Sequence, residues 1–190
     1  MEKIKVLFVC LGNICRSPLA EAIFKKKIEE KGLTALFEVS SGGTSDYHVG
    51  KPADERAQRV AEKNAVKIIH SARQVSTPDL RHYDYILAMD AENIDTLNAL
   101  ADADAQIEGK IFLMRDFEPG ARAGNTANEE QPYTNADSLS DTPRDPLTPD
   151  LRDVPDPYYG EEEGFQVVFD ILDRTIENFI DYVVRERKLA

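Results

Sequence analysis

The residues with the clearest capacity for chemistry lie in one short segment near the N-terminus. A thiol and a guanidinium stand at the two ends of the run Cys10-Leu11-Gly12-Asn13-Ile14-Cys15-Arg16. A cysteine is nucleophilic as its thiolate, and an arginine presents a planar fork that binds two oxygens of a phosphate at once. The spacing therefore predicts a site in which a sulfur nucleophile faces a bound oxyanion.

This segment joins a predicted strand to a predicted helix. Residues 3–9, KIKVLFV, are an apolar run too short for a helix, which is typical of a buried strand. Ser17 and Pro18 are a good N-cap and first-turn pair. A loop wrapped at a helix N-terminus turns its amides inward, and the helix dipole adds positive potential. Because its glycine and asparagine tolerate left-handed backbone, we expect an anion-binding nest that keeps Cys10 ionised at neutral pH.

Strands and helices alternate along the rest of the chain. Short strands are predicted at 37–41 and, as apolar runs, at 85–89 and 110–114, and helices are predicted at 53–65 and 90–100. The helix after Ser17 is expected to end at Gly32, and a last helix with a long apolar stripe is expected to start at residues 161–163. Such alternation predicts an α/β fold, in which helices cover both faces of a parallel sheet and ligands bind beyond the carboxyl ends of the strands. Cys10 lies at the first of those ends.

Composition excludes several functional classes. The 190 residues hold 23 Lys and Arg against 35 Asp and Glu, a net charge of −12, which argues against broad binding of nucleic acid or of an anionic membrane surface. Two cysteines, no signal-peptide pattern and no apolar span favour the cytoplasm. The three histidines and two cysteines fit no zinc spacing, so no metal is expected.

The acidic residues are concentrated in one stretch. Between residues 115 and 163 there are 13 Asp or Glu, four Arg and seven of the ten prolines. Because this stretch lacks apolar periodicity, we expect an acidic, proline-rich loop insertion at about 117–152. At this length the chain, residues 1–190, is expected to form one domain.

Several motifs together resemble the low-molecular-weight protein tyrosine phosphatase family. They are CLGNICRSP, which begins at Cys10, SSGGTSDYHVGKPAD after the second strand, HSARQV at 70–75, DYILAMD at 84–90 and VPDPYYG at 154–160. The resemblance covers most of the chain and implies a flavodoxin-like, three-layer fold with four parallel strands in the order 2-1-3-4. The stretch at 117–152 is longer than family members usually have.

The resemblance implies a reaction and three catalytic residues. Cys10 would be the nucleophile, Arg16 would bind the phosphate and its transition state, and Asp156 would be the general acid. The implied activity is hydrolysis of phosphotyrosine and small aryl phosphates through a cysteinyl-phosphate, without metal or cofactor. Phenol has a pKa of about 10, so protonating the leaving oxygen is worth roughly 10²- to 10⁴-fold. The implied partners are phosphotyrosine proteins, and the implied inhibitors are phosphate and vanadate.

Supporting roles follow from the same resemblance. Ser17 would bond to the thiolate or to the leaving sulfur, and an N-cap role is equally compatible with its position. Asn13 would shape the loop through hydrogen bonds that tie it to Ser41 and His70. Two aromatic residues would wall the substrate slot and stack on the phosphotyrosine ring, and these are Tyr47 and Tyr158.

Two alternative functions remain, together with one redox hypothesis. A protein arginine phosphatase of the same fold has a Thr where this chain has Ile14, and an apolar residue suits an aromatic ring better than a guanidinium. A non-catalytic phosphate-binding module would lose the thiol or the acid, whereas Cys10 and Asp156 are both present. Cys15 lies close enough in sequence to form a reversible disulfide with Cys10 after peroxide oxidation.

Overall fold

A parallel sheet forms the centre of the molecule. The computed structural model describes residues 2–118 and 152–189. The strands are β1 (Ile4–Cys10), β2 (Phe37–Gly43), β3 (Tyr85–Ala88) and β4 (Ile111–Leu113). They are parallel throughout and lie in the order β2-β1-β3-β4, which confirms the predicted topology. All four carboxyl ends therefore lie at one edge of the sheet, and Cys10 ends a central strand.

Helices cover both faces of this sheet, as predicted. They are α1 (Arg16–Glu30), α2 (Glu55–Lys63), α3 (Thr77–His82), α4 (Ala91–Ala101) and α5 (Glu162–Glu186), with 3₁₀ turns at Thr34–Leu36 and Met114–Phe117. Alternate side chains of β1 enter different hydrophobic clusters. Val6 and Phe8 pack with residues of α1, α2 and α5, whereas Leu7 and Val9 pack with residues of α3 and α4.

The long last helix packs against the sheet through the apolar stripe that the sequence predicts. Eight stripe residues are buried, namely Phe165, Val168, Phe169, Leu172, Ile176, Phe179, Ile180 and Val183. Full burial of side chains of this size contributes about 1.5–3 kcal/mol each in transfer free energy. This stripe therefore fixes α5 against α1 and the sheet.

Some predicted boundaries and one cap were wrong. The helix predicted at 53–65 spans Glu55–Lys63. It starts after Asp54, whose side chain accepts a hydrogen bond from the Arg56 amide and caps it, and it ends before Ala65, whose φ of +56° is not helical. Ser17 is not the N-cap of α1, since that helix begins at Arg16 and Cys15 occupies the cap position. The six-residue α3 was not predicted, because only Leu80 of it is buried and so short a helix shows no periodicity.

The predicted insertion falls mostly outside the described residues, which leave out 119–151. Its two flanks lie close together. The Arg115 guanidinium donates to Glu118 Oε2 at 2.8 Å and to the Asp153 carbonyl at 3.2 Å, so one side chain bridges the two points where the segment begins and ends. None of the helices formed by residues 2–118 and 152–189 combines the length and the apolarity needed to cross a bilayer.

Candidate active site

The sulfur of Cys10 lies at the carboxyl edge of the sheet, directly before the loop that leads to α1. It is within 3.0 Å of Ser17 Oγ, and both residues are buried. Ser17 occupies the first turn of α1, and its hydroxyl also lies 3.4 Å from the Gly42 carbonyl. The serine that the sequence allowed as a helix cap is therefore a hydrogen-bond partner of the cysteine instead.

The loop after Cys10 turns its carbonyl oxygens outward. The carbonyls of residues 10, 11, 13 and 14 accept hydrogen bonds of 2.7–3.0 Å from the amides of Thr44, Ser45 and Asp54 and from the His70 ring. The described peptide bonds are all trans, so each N–H points away from the carbonyl of the preceding residue. The amides of Leu11, Gly12, Ile14 and Cys15 therefore point into the loop. This arrangement is an anion nest at a helix N-terminus.

Asn13 is the centre of the hydrogen bonds that hold this loop. It is fully buried and has a φ of +54°, a left-handed conformation that asparagine tolerates. Its Nδ2 donates to Ser17 Oγ at 2.9 Å and to Ser41 Oγ at 3.0 Å, and its Oδ1 accepts from the Arg73 amide at 2.9 Å. The structure thus brings Ser41 to Asn13 as predicted.

His70 reaches the same loop from outside. Its Nε2 donates to the Asn13 carbonyl at 2.7 Å, so His70 also lies where the resemblance implied. Burial of the ring lowers the pKa of His70, although the hydrogen bond to Asn13 and the charge of Glu21 act in the opposite direction. The imidazole is therefore neutral at pH 7, and its protonated nitrogen serves as a fixed donor.

Glycines allow close contacts at two points around the loop, one with backbone and one with a side chain. A Cβ on Gly43 of β2 would lie 2.8 Å from the Leu11 carbonyl oxygen, and one on Gly12 would lie 2.9 Å from His48 Cδ2. Distances below 3.0 Å are not tolerated against fixed backbone. Gly43 therefore lets the loop lie against β2, and Gly12 leaves room for the ring of His48, which was not predicted as a site residue.

Arg16 holds its guanidinium between two carboxylates at the same edge. Its Nη1 donates to Asp90 Oδ2 at 2.6 Å and to the Val154 carbonyl at 3.0 Å, and its Nη2 lies 3.2 Å from Asp156 Oδ2. Burial acts to lower the pKa of Arg16, but the charges of Cys10, Asp90 and Asp156 outweigh it, so that the pKa is raised. The group therefore stays cationic inside the site.

Asp90 and Val154 were not predicted as site residues. Asp90 caps α4 by accepting from the Asn93 amide at 2.8 Å and uses its other oxygen to orient Arg16. Its position directly after a predicted strand, at the edge where ligands bind, was the signal that could have identified it. Val154 acts through a backbone carbonyl, which side-chain chemistry does not reveal.

Asp156 reaches the site from a part of the chain 140 positions away from Arg16. Its side chain is 44% exposed, and its Oδ1 accepts from the Tyr158 amide at 3.1 Å. The Val154 amide donates to the Met89 carbonyl at 2.7 Å, which fixes the start of this loop to the end of β3. Cys10, Arg16 and Asp156 thus meet at one edge of the sheet, although their roles remain predictions.

The two predicted aromatic walls differ in their surroundings. The Tyr158 ring lies 6.1 Å from the His48 ring and 5.0 Å from the Tyr159 ring, centroid to centroid. Tyr47 is 73% exposed, and no ring contact joins it to Tyr158 in the part of the chain that the structure describes. Stacking of both on a substrate ring stays a prediction.

Cys15, the second cysteine of the loop, is buried like Cys10. Both cysteines are free and buried, and burial, together with the charges of Cys10 and Asp54, raises the pKa of Cys15. Cys15 is therefore a neutral thiol, unsuited to nucleophilic attack, and a disulfide with Cys10 stays a prediction. Among residues 2–118 and 152–189, no group of three or more His, Cys, Asp or Glu side chains is arranged to hold a metal ion.

Comparisons with known proteins identify the family. A phosphatase from Schizosaccharomyces pombe, "Low molecular weight phosphotyrosine protein phosphatase", is 35% identical over 181 residues, which cover 94% of this chain and 96% of that protein. A protein tyrosine phosphatase from Entamoeba histolytica, solved with Hepes in its active site, is 38% identical with a TM-score of 0.75 and covers 98% of this chain and 99% of its own.

A third similar structure is an arginine phosphatase from Drosophila, 27% identical with a TM-score of 0.73, over 94% of this chain and 97% of its own. The family model that matches this chain is "Low molecular weight phosphotyrosine protein phosphatase", and it matches residues 5–142. On this match and these identities, the chain belongs to the low molecular weight phosphotyrosine protein phosphatase family.

Proposed function

We propose that this protein is a cysteine-dependent phosphatase that hydrolyses phosphotyrosine and small aryl phosphates through a cysteinyl-phosphate. The observation that carries the proposal is the meeting of Cys10, Arg16 and Asp156 beside a loop of inward-pointing amides. Residues 1–190 would form one phosphatase domain, with an acidic insertion at about 117–152. Membership of the family supports the reaction class.

In the first step, the Cys10 thiolate attacks the phosphorus and the bond to the phenolic oxygen breaks. Asp156, in its protonated form at this step, gives its proton to the leaving oxygen, so that a neutral phenol leaves instead of a phenolate. The loop amides and the Arg16 guanidinium bind the equatorial oxygens, where negative charge is held in the transition state. Ser17, 3.0 Å from the sulfur, donates to the thiolate before attack.

In the second step, a water molecule attacks the cysteinyl-phosphate. Asp156, now a carboxylate, accepts a proton from that water, the sulfur–phosphorus bond breaks, and Cys10 leaves as a thiolate that Ser17 stabilises. Inorganic phosphate is released and Asp156 is again protonated. Protons and charges balance with these groups alone, so the cycle needs no further reactant than water.

The choice of substrate rests on apolar and aromatic side chains around the nest. Ile14 places an aliphatic side chain in the loop, and Tyr158 lies next to the loop residue Asp156. Both suit an aromatic ring better than a guanidinium, which would leave polar donors without partners. The similarity to an arginine phosphatase makes phosphoarginine the second candidate substrate. The proposed partners are phosphotyrosine-containing proteins, with the cytoplasm as the expected compartment.

The test is side-by-side turnover of phosphotyrosine, phosphoarginine and phosphoserine peptides of one sequence. We expect the wild type to release phosphate fastest from the phosphotyrosine peptide, with competitive inhibition by phosphate and vanadate. Cys10→Ser should bind the same peptide without turnover, because the alcohol is not ionised at neutral pH. Faster release from phosphoarginine would move the assignment to the second candidate, and binding without turnover by the wild type would indicate a non-catalytic module.

A further inference from the structure

The loop that carries Asp156 is held at its far end by a side chain from another helix. Arg56, in the first turn of α2, donates from Nη2 to the Tyr158 carbonyl at 3.0 Å and from Nη1 to the Gly160 carbonyl at 2.7 Å. These contacts span more than a hundred positions of sequence. They hold the backbone at positions two and four residues after Asp156.

Arg56 is itself fixed by Asp54. Nε of Arg56 donates to Asp54 Oδ1 at 3.0 Å and Nη2 donates to Oδ2 at 2.8 Å, a bidentate pair that sets the plane of the guanidinium. Hydrogen bonds from Arg56 lower the pKa of Asp54, and hydrogen bonds from Asp54 raise the pKa of Arg56. The pair is therefore ionised whenever the protein is near neutral pH.

The same pair is tied to the phosphate loop. The Asp54 amide donates to the Ile14 carbonyl at 2.7 Å, which is one of the bonds that turn the loop amides inward. A continuous set of hydrogen bonds thus runs from Ile14 through Asp54 and Arg56 to the carbonyls of Tyr158 and Gly160. It connects the phosphate loop to the loop that carries Asp156.

Only an arginine can make all of these contacts together. Four donor contacts go to two carboxylate oxygens and two carbonyls, and the guanidinium carbon Cζ lies 4.6 Å from the centroid of the Phe165 ring. A lysine has one ammonium that cannot bond to a carboxylate and two separated carbonyls in this fork geometry. The flat cation on an aromatic face also limits its motion.

The acid lies between two anchors. On one side the Val154 amide bonds to the Met89 carbonyl, and on the other Arg56 holds Tyr158 and Gly160. Only residues 155–157 stand between these attachments, and two of them are prolines with a fixed φ. Releasing one anchor would leave the Asp156 carboxyl free to shift relative to the leaving oxygen.

We propose that Arg56 is a positioning residue for the general acid: it sets the height of Asp156 over the phosphate loop and acts on the reaction only through that carboxyl. The inference rests on the proposed function and adds a residue to it. It predicts that loss of Arg56 slows the first step strongly when the leaving group needs a proton and only weakly when it does not.

The test compares two substrates that differ in leaving group, phenyl phosphate and 2,4-dinitrophenyl phosphate. For Arg56→Gln we expect kcat/KM on phenyl phosphate to fall about 10- to 100-fold, since kcat/KM reports the step in which the phenolic oxygen leaves and a misplacement of about 1 Å costs up to about 100-fold. On the dinitrophenyl ester we expect a loss of no more than about threefold. The inhibition constant of inorganic phosphate should stay within about twofold, because the anion nest does not involve Arg56 donors.

The matched control is Arg59→Gln, one turn along the same helix. Arg59 is half exposed and pairs with Glu162 at 2.8 Å, without a contact to the carbonyls of residues 158 and 160 among those described. We expect no dependence of its effect on the leaving group. Arg56→Lys keeps the charge and should recover only part of the loss on phenyl phosphate, and it serves in place of Arg56→Gln if that variant does not fold.

A double-mutant cycle with Asp156→Ala decides whether the effect passes through the acid. In the Asp156→Ala background, Arg56→Gln should lower kcat/KM on phenyl phosphate by less than about twofold. A loss of equal size with both esters, or a full further loss without the acid, would overturn the inference while leaving the phosphatase intact. A wild type that hydrolyses neither ester would instead overturn the proposed function.

Discussion

Replacing Asn13 with alanine should be the most costly single change in the loop for stability. Asn13 is fully buried and makes three side-chain hydrogen bonds, two from Nδ2 and one to Oδ1. At about 1 kcal/mol of net stability each, these contribute about 3 kcal/mol. Alanine at a φ of +54° adds about 1 kcal/mol of backbone strain. Asn13→Ala should therefore lower the free energy of unfolding by about 4 kcal/mol.

A second substitution separates the two causes. Asn13→Gly loses the same hydrogen bonds but accepts the left-handed backbone without strain, so it should be about 1 kcal/mol more stable than Asn13→Ala. The assay is urea unfolding followed by circular dichroism, with the slope m compared among the three proteins. A loss below about 1 kcal/mol in both variants would refute the reasoning, because it would show that water replaces the hydrogen bonds freely.

Three further changes test other contacts of the site. Arg16→Lys should lower kcat/KM on phenyl phosphate by at least about 100-fold, because the ammonium cannot replace a two-pronged donor to the transition state. Gly43→Ala should lower the free energy of unfolding by about 1–3 kcal/mol, since its Cβ would approach the Leu11 carbonyl oxygen to 2.8 Å. For His70, the folded-state pKa is lowered from 6.5 by burial, so stability should be complete above about pH 6.5 and fall as the pH drops from there through the folded-state pKa. His70→Gln, whose amide can still donate to the Asn13 carbonyl, should flatten that decline in urea titrations between pH 7.5 and 5.

Each of these has an outcome that contradicts it. Arg16→Lys within a factor of ten of the wild type would mean that charge alone suffices. Gly160→Ala is the control for Gly43→Ala, since its Cβ would come no nearer than 3.5 Å to the Pro157 carbonyl oxygen, and equal losses in the two would dismiss the steric argument. An unchanged acid-side slope in His70→Gln would assign the decline to another group.

The strands were predictable because their signal is local. β1, β3 and β4 are short apolar runs with both faces buried, whereas β2 (FEVSSGG) is mixed in polarity and partly exposed. The observed bounds of all four differ from the predicted ones by no more than two residues. α3 was not predicted, because Leu80 is its one buried residue and a single apolar position shows no periodicity. Ser17 was compatible with two roles, and only the start of α1 at Arg16 decided between them.

Some residues of the site are likewise predictable from a local pattern, and others are brought together only by the fold. Cys10 and Arg16 are joined by one loop, so their spacing could be interpreted directly from the sequence. Asp90 and Val154 reach Arg16 over 74 and 138 positions, and Arg56 reaches Gly160 over 104. Such pairings are created by strand order and helix packing, which place distant segments at one edge. No local pattern specifies them, and Asp156 was found only through the family resemblance.

Arg115 bonds to both Glu118 and Asp153, so the two ends of the segment between them lie side by side. The entropy needed to close a chain between two neighbouring points grows only logarithmically, by about 0.6 kcal/mol for each doubling of its residues. A change in the length of a flexible chain between two such points carries little thermodynamic penalty, and it leaves the bond from the Val154 amide to the Met89 carbonyl in place. The length of that stretch is therefore independent of where Asp156 stands relative to Arg16.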